Sequence, residues 1–73
     1  MKYDERVKRN ILKLRITLGL SQKEFGELLA VHPTSISHYE NGARMPSSPI
    51  IRRMVNLGQE NKVSITVDDL IPF

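Results

Sequence analysis

Two histidines and three hydroxyl side chains lie within one stretch of seven residues, from His32 to His38. Such groups can transfer protons, attack as nucleophiles or bind metal ions. The two imidazoles, however, are six positions apart, whereas two ligands of one metal ion on a helix are expected four positions apart. The chain also has no cysteine, no phosphate-binding glycine loop and no converging set of acids and bases. These patterns predict no catalysis, no metal site and no cofactor.

The elements that position this stretch begin with two helices. Apolar residues recur at intervals of three or four, as on one helix face, at Val7, Ile11, Leu14 and Leu18. They predict a first helix over residues 4–18, with Asp4 as its N-cap. Ser21 and Glu24 have the spacing of a capping box, which predicts a second helix over residues 22–29.

Two prolines mark the starts of two further helices. Pro33 suits the first position of a third helix, because its missing N–H would have no partner there. Gly42 ends that helix. Ser48 is the expected N-cap of a fourth helix that Pro49 opens and that ends between residues 57 and 61.

The C-terminal tail, residues 61–73, allows two interpretations. Apolar residues alternate with polar ones at Val63, Ile65 and Val67, which is typical of a short strand. Thr66 and Asp69 could instead cap a final helical turn through Leu70. The tail carries more apolar residues than a four-helix core obviously needs, so it is a candidate dimerisation segment as well as a cover for the core.

Composition indicates a single domain over residues 1–73, with 40% hydrophobic and 26% charged residues. No apolar run is long enough to cross a bilayer, and the absence of cysteine and of a leader segment favours the reducing cytoplasm. The net charge is +3, but residues 1–53 hold ten Lys/Arg against five Asp/Glu, and residues 54–73 hold one against three. A basic body favours an anionic partner such as a nucleic acid.

The segment 21–42 resembles the phage repressor and Cro family and related bacterial regulators, the XRE-type helix-turn-helix proteins. The resemblance extends from about Ile11 to Pro46. Its features are Leu20-Ser21-Gln22, Gly26, Val31, Ile36 and Glu40-Asn41-Gly42 followed by Pro46. It implies an all-α fold, a compact four- to five-helix lambda-repressor-like domain with room for a short extended segment at its C-terminal end.

The turn between the second and third helices has a physical logic. Gly26 lets the third helix approach the second closely, and Val31, Ile36 and Tyr39 fill the wedge between them. Ala30 departs from the family, which usually has a glycine with positive φ in this turn. If Ala30 is left-handed, it costs about 1 kcal/mol.

The resemblance also implies an ion pair between Arg15 and Glu40, which would clamp the first helix onto the third. The start of the third helix is implied to enter the major groove of DNA. The candidate base contacts are His32, Pro33, Thr34, Ser35, Ser37 and His38. Many relatives have an amide side chain where this chain has Pro33, so only shape or methyl contact is expected there.

Phosphate contacts are implied at both ends of the same groove, from Gln22, Lys23, Asn41 and Arg44. The N-terminus of the second helix, where Gln22 lies, favours an anion through its free N–H groups and its dipole. Four other basic residues have two interpretations, as phosphate contacts or as ordinary surface residues: Lys8, Arg9, Arg52 and Arg53.

The family suggests a sequence-specific regulator of transcription that binds double-stranded DNA. The favoured form is a Cro-like repressor that binds a palindromic operator as a homodimer, because one recognition helix reads only a few base pairs. The alternative is an antitoxin or a controller protein of a restriction system, whose DNA binding is autoregulatory. An antitoxin would use a further segment, such as the tail, to bind a protein partner.

Overall fold

Four α-helices and one short 3-10 helix follow one another in the computed structural model, which describes residues 5–71. They are α1 (Glu5–Thr17), α2 (Gln22–Leu29), α3 (Pro33–Asn41), α4 (Ser48–Glu60) and the 3-10 helix Val67–Leu70. The described range contains no strand, which confirms the predicted all-α fold. The expected Asp4 cap and residues 72–73 of the tail lie outside the described residues.

Local signals in the sequence determine where most helices begin and end. The Ser21 Oγ accepts a hydrogen bond from the Glu24 N–H at 3.0 Å, and the Glu24 carboxylate accepts one from the Ser21 N–H at 2.9 Å. This capping box starts α2 as predicted. At the end of α3, Gly42 takes the left-handed conformation with φ 83°, which glycine adopts without steric cost.

The predicted start of α4 was wrong by one residue. Ser47, not Ser48, is the N-cap, and its side chain makes no capping hydrogen bond. Pro49 is therefore the second helical residue. A proline is tolerated throughout the first helical turn, so its position does not decide which of two adjacent serines precedes the helix.

One hydrophobic core joins all the elements. Its buried side chains are Val7, Ile11, Leu14, Phe25, Leu29, Ile36, Tyr39, Ile50, Ile51, Met54, Val55, Ile65 and Leu70. Every helix contributes at least one of them, including the 3-10 helix through Leu70. None of the helices in the range 5–71 is long and apolar enough to cross a membrane.

Of the two interpretations of the tail, the capped turn is confirmed and the strand is wrong. Thr66 and Asp69 form a capping box, and the Thr66 N–H donates to the Asp69 carboxylate at 2.9 Å. Ile65 is buried whereas Ser64 and Thr66 are exposed. Alternation of apolar and polar residues thus indicates an extended segment with one side on the core. Such a segment does not need a neighbouring strand.

Two side chains of α1 hold the tail by donating hydrogen bonds to main-chain carbonyls of the tail. The Arg6 guanidinium donates to the carbonyls of Asp68 at 3.0 Å and Ile71 at 2.8 Å. The Asn10 side-chain amide donates to the Asp69 carbonyl at 2.8 Å. The described part of the tail is therefore an integral part of the fold.

Candidate nucleic-acid interface

The turn between α2 and α3 is held by close backbone packing at Gly26. A Cβ atom on Gly26 would lie 2.6 Å from the Val31 carbonyl oxygen and 3.4 Å from the Pro33 nitrogen. The Val31 N–H also donates to the Gly26 carbonyl at 2.9 Å. The predicted close approach is confirmed, although the nearest atom belongs to the turn rather than to α3. The absence of a side chain at Gly26 thus sets the position of α3 relative to α2.

Two features complete the end of α2. Ala30 has φ 60° and ψ 41°, so the left-handed conformation that the sequence left as a condition is present. Arg53 of α4 donates from Nη1 to the Leu29 carbonyl at 2.9 Å. The sequence left Arg53 open between a phosphate contact and an ordinary surface position. In the structure it binds the end of α2, where its charge also complements the negative end of the helix dipole.

The outer face of α3 carries small polar side chains. Thr34, Ser37, His38 and Asn41 follow the spacing of residues on one helix face, opposite the buried Ile36 and Tyr39. Ser35 is half-buried at the edge of this face. The outer face thus offers hydroxyl, imidazole and amide groups, of which those of Thr34 and Asn41 are exposed.

His32 is the N-cap of α3. Its Nδ1 accepts a hydrogen bond from the Thr34 N–H at 3.1 Å, and the side chain is exposed. An accepting Nδ1 carries no proton, so the neutral ring has its hydrogen on Nε2 and presents a donor there. Of the residues predicted to contact bases, His32 is therefore the one whose hydrogen-bonding character the fold determines.

Arg15, Glu40 and Gln22 form one hydrogen-bonded network across three helices. Arg15 donates from Nε to Glu40 Oε2 at 2.6 Å and from Nη2 to Oε1 at 3.2 Å. Gln22 Nε2 donates to the same Oε1 at 3.1 Å. The ion pair is mostly buried, with 17% of the Arg15 side chain and 8% of the Glu40 side chain exposed. Gln22, proposed from the sequence as a phosphate contact, thus has its amide oriented by Glu40.

The other proposed phosphate contacts are exposed at the two ends of the α2–α3 unit. Lys23 lies in the first turn of α2, and Asn41 and Arg44 lie at the end of α3 and just beyond it. The Asn41 Oδ1 accepts the Ala43 N–H at 2.9 Å, and the Arg44 N–H donates to the His38 carbonyl at 3.3 Å. These bonds fold the backbone after α3 into a compact loop that carries Arg44.

A model of the helix-turn-helix family matches residues 11–58, which is more than half of the chain. The chain belongs to the XRE-type helix-turn-helix family. Comparison with curated proteins and with solved structures gives no match. As a member of this family, the helix-turn-helix protein is a DNA-binding regulator of transcription, and the family is not a class of enzymes.

The matched region of this helix-turn-helix protein includes the predicted turn and all of the predicted contacts, but sequence reasoning missed several roles. The position of His32 directly before Pro33 at the first helical residue was a usable signal for an N-cap. The contacts of Arg53 and Asn10 had no such signal, because both side chains bind main-chain carbonyls far away in the sequence.

One carboxylate of the helix-turn-helix unit has a perturbed pKa. The backbone N–H of Ser21 and, to a smaller extent, the Ser21 hydroxyl donate to Glu24 and hold its pKa below the ordinary value. The carboxylate is fully exposed, so burial contributes little. Glu24 is therefore charged in the capping box at neutral pH, where it also complements the positive end of the α2 dipole.

Proposed function

We propose that this helix-turn-helix protein is a sequence-specific repressor that binds a palindromic operator as a homodimer. The observation that carries the proposal is the outer face of α3, where exposed and half-buried polar side chains stand opposite buried Ile36 and Tyr39. A helix of this kind fits the major groove, and its hydroxyl and imidazole groups can hydrogen-bond base edges. Catalytic activity is not part of the proposal, and the protein acts in the cytoplasm.

The proposed base contacts have different roles. His32 donates from Nε2, which suits an acceptor on a base or a phosphate. Thr34 offers a hydroxyl and a methyl group that can touch a thymine methyl. Ser35, Ser37 and His38 offer further donors and acceptors, whereas Pro33 contributes shape and apolar contact only.

The proposed phosphate contacts lie on both sides of this reading face. Gln22 and Lys23 are at the N-terminus of α2, where backbone N–H groups favour an anion. Glu40 accepts a hydrogen bond from one of the two side-chain N–H groups of Gln22, which leaves the other for a phosphate oxygen. Asn41 and Arg44 supply contacts at the far side. With roughly six phosphates per dimer, log affinity falls with log salt at a slope of about −5.

The homodimer follows from the geometry of operators, since two half-sites need two recognition helices. In the described part of the tail, Ile65 and Leu70 are engaged in the core, while Val67 is 46% exposed. Val67 and Ile71 border a groove with Ile51 of α4. We place the subunit contact there. Val67→Lys should then shift sedimentation toward the monomer, and a variant that sediments as a dimer would remove this groove from the contact.

The rival proposal, an antitoxin or a controller protein, requires DNA binding as well but adds a protein partner or an autoregulatory duty. The hydrogen bonds from Arg6 and Asn10 give the described part of the tail a structural duty in either form of the protein.

Selection of bound sequences from a random pool of duplex DNA tests the proposal. We expect enrichment of two inverted half-sites with centres about one helical turn apart. Thr34→Ala should change the enriched bases, whereas Ser64→Ala, an exposed hydroxyl in the tail, should leave them unchanged. Enrichment of single, unpaired sites would contradict the dimer, and a pool without enrichment would contradict sequence-specific binding. Loss of expression from a promoter that overlaps the selected site would distinguish a repressor from an activator.

A further inference from the structure

Lys8 of α1 reaches across to the end of α3. A Cβ atom on Gly42 would lie 2.7 Å from the Lys8 Cδ and 3.6 Å from its Nζ, so the lysine stem covers the face of the glycine. Gly42 follows Asn41 directly and precedes Arg44 by two residues. The fold therefore adds a third polar side chain, from a distant part of the chain, to the place where Asn41 and Arg44 are proposed to bind phosphate.

The Lys8 ammonium has an internal partner. It forms a salt bridge with Glu5, one helical turn earlier in α1, and 26% of the Lys8 side chain and 70% of the Glu5 side chain are exposed. Because the Glu5 side is largely exposed, water screens this pair, and both long side chains lose freedom when they form it, so the pair is weak. A phosphate group that arrives beside Gly42 can therefore replace the Glu5 carboxylate at little cost.

We propose that Lys8 is a phosphate-binding residue of the DNA interface and that Glu5 occupies its ammonium when DNA is absent. The proposal rests on the DNA-binding mode proposed above. Packing of the stem on Gly42 limits the movement of Lys8, so its charge stays near the end of α3 while its partner is exchanged. Glu5 thus lowers the affinity for DNA, because each binding event must first break the internal pair.

A purely structural role for Lys8 makes a different prediction. The ammonium also lies near the negative end of the α3 dipole and would stabilise that end of the helix. Loss of this interaction would lower the melting temperature but would release no counterion on DNA binding. The salt dependence of binding therefore separates the two roles.

The experiment uses the full chain and a labelled duplex of mixed sequence, about three helical turns long, in fluorescence anisotropy titrations at several KCl concentrations. Lys8→Met keeps an apolar stem over Gly42 and removes the charge. We expect the slope of log affinity against log salt to become less steep by about 0.9 per protomer, or about 1.8 per dimer. Lys13→Met is the matched control, since Lys13 lies on the same helix but beside Val63 and Ser64 of the tail.

Glu5→Gln tests the second half of the proposal. It should raise the affinity several-fold at low salt in the otherwise unchanged protein and have no comparable effect in the Lys8→Met background. A Lys8→Met slope equal to that of Lys13→Met would overturn the phosphate contact, whatever happens to the melting temperature. An equal Glu5→Gln effect in both backgrounds would overturn the exchange. A parent protein with no salt-dependent binding to the duplex would instead contradict the proposed DNA-binding mode itself.

Discussion

Arg15 of α1 and Glu40 of α3 are joined by two hydrogen bonds, from Nε to Oε2 at 2.6 Å and from Nη2 to Oε1 at 3.2 Å. Arg15 also donates from Nη1 to the Leu20 carbonyl at 2.9 Å, so it connects the end of α3 to the loop before α2. Glu40 in turn binds the Gln22 amide. Because both members of the ion pair are mostly buried, removal of one leaves the charge of the other without an opposite charge in a poorly hydrated place.

Arg15→Met should lower the free energy of unfolding by about 3 kcal/mol, the lower end of the cost of breaking a buried ion pair. Urea denaturation monitored by circular dichroism measures it. The double variant Arg15→Met, Glu40→Met should recover part of the loss, because it removes the unpaired carboxylate. A loss under about 0.5 kcal/mol would mean that the pair behaves like an exposed one.

Ala30→Gly should stabilise the protein by about 0.5–1 kcal/mol, because glycine adopts φ 60° without the contact between Cβ and the carbonyl that strains alanine. In a domain of this size the melting temperature should rise by about 4 °C or more per kcal/mol. Ala43→Gly is the control, since Ala43 does not have a positive φ. It should leave the melting temperature unchanged or lower it. The same response in both variants would exclude relief of strain as the cause.

Glu24→Gln should reduce the acid sensitivity of the fold. Since folding lowers the pKa of Glu24, its charge stabilises the native state above the ordinary carboxyl pKa, and this contribution is lost as the pH falls through the folded pKa. Glutamine keeps an oxygen for the Ser21 N–H but does not titrate. The melting temperature, measured between about pH 5 and pH 3, should therefore fall less steeply with decreasing pH for the variant than for the parent protein.

A matched control for that titration is Glu27→Gln, which removes an exposed carboxylate from the same helix but from outside the capping box. This variant should keep the loss of stability that protonation of Glu24 causes at acid pH. If the melting temperature depended on pH identically in the two variants, general charge repulsion rather than the cap would govern acid unfolding.

Leu70→Ala should lower the free energy of unfolding by about 2–5 kcal/mol, because Leu70 is fully buried and its truncation leaves a cavity. Ser64→Ala, at an exposed position of the tail outside the groove assigned to the subunit contact, should change it by less than about 0.5 kcal/mol. Chemical denaturation of the two variants measures the difference. A small loss for Leu70→Ala would show that the tail only rests on a core that is complete without it.

The sequence predicted the parts of this fold that depend on neighbours in the chain. The capping box of α2 and the glycine at the end of α3 are both local, and each is present, whereas the left-handed Ala30 was raised as a condition by the family resemblance. The start of α4 was misplaced because Ser47 and Ser48 carry the same local signal. The strand, one of the two interpretations of the tail, was wrong because the burial of Ile65 comes from the helical core.

The candidate interface was predictable to a similar degree. The face of α3 follows from periodicity, but the position of Lys8 over Gly42 and the orientation of Gln22 by Glu40 join parts of the chain that no local pattern connects. A glycine at residue 42 indicates a left-handed cap. It does not indicate that a lysine from 34 positions earlier covers it.

The attachment of the tail to α1 has an evolutionary consequence. Arg6 and Asn10 hold carbonyl oxygens, which every residue type possesses, so the anchor does not depend on which side chains stand at positions 68 and 71. The outward side chains of the tail are consequently free to diverge between duplicated copies of such a regulator. If they form the proposed subunit contact, substitutions among them would change the choice of subunit while the tail stays docked.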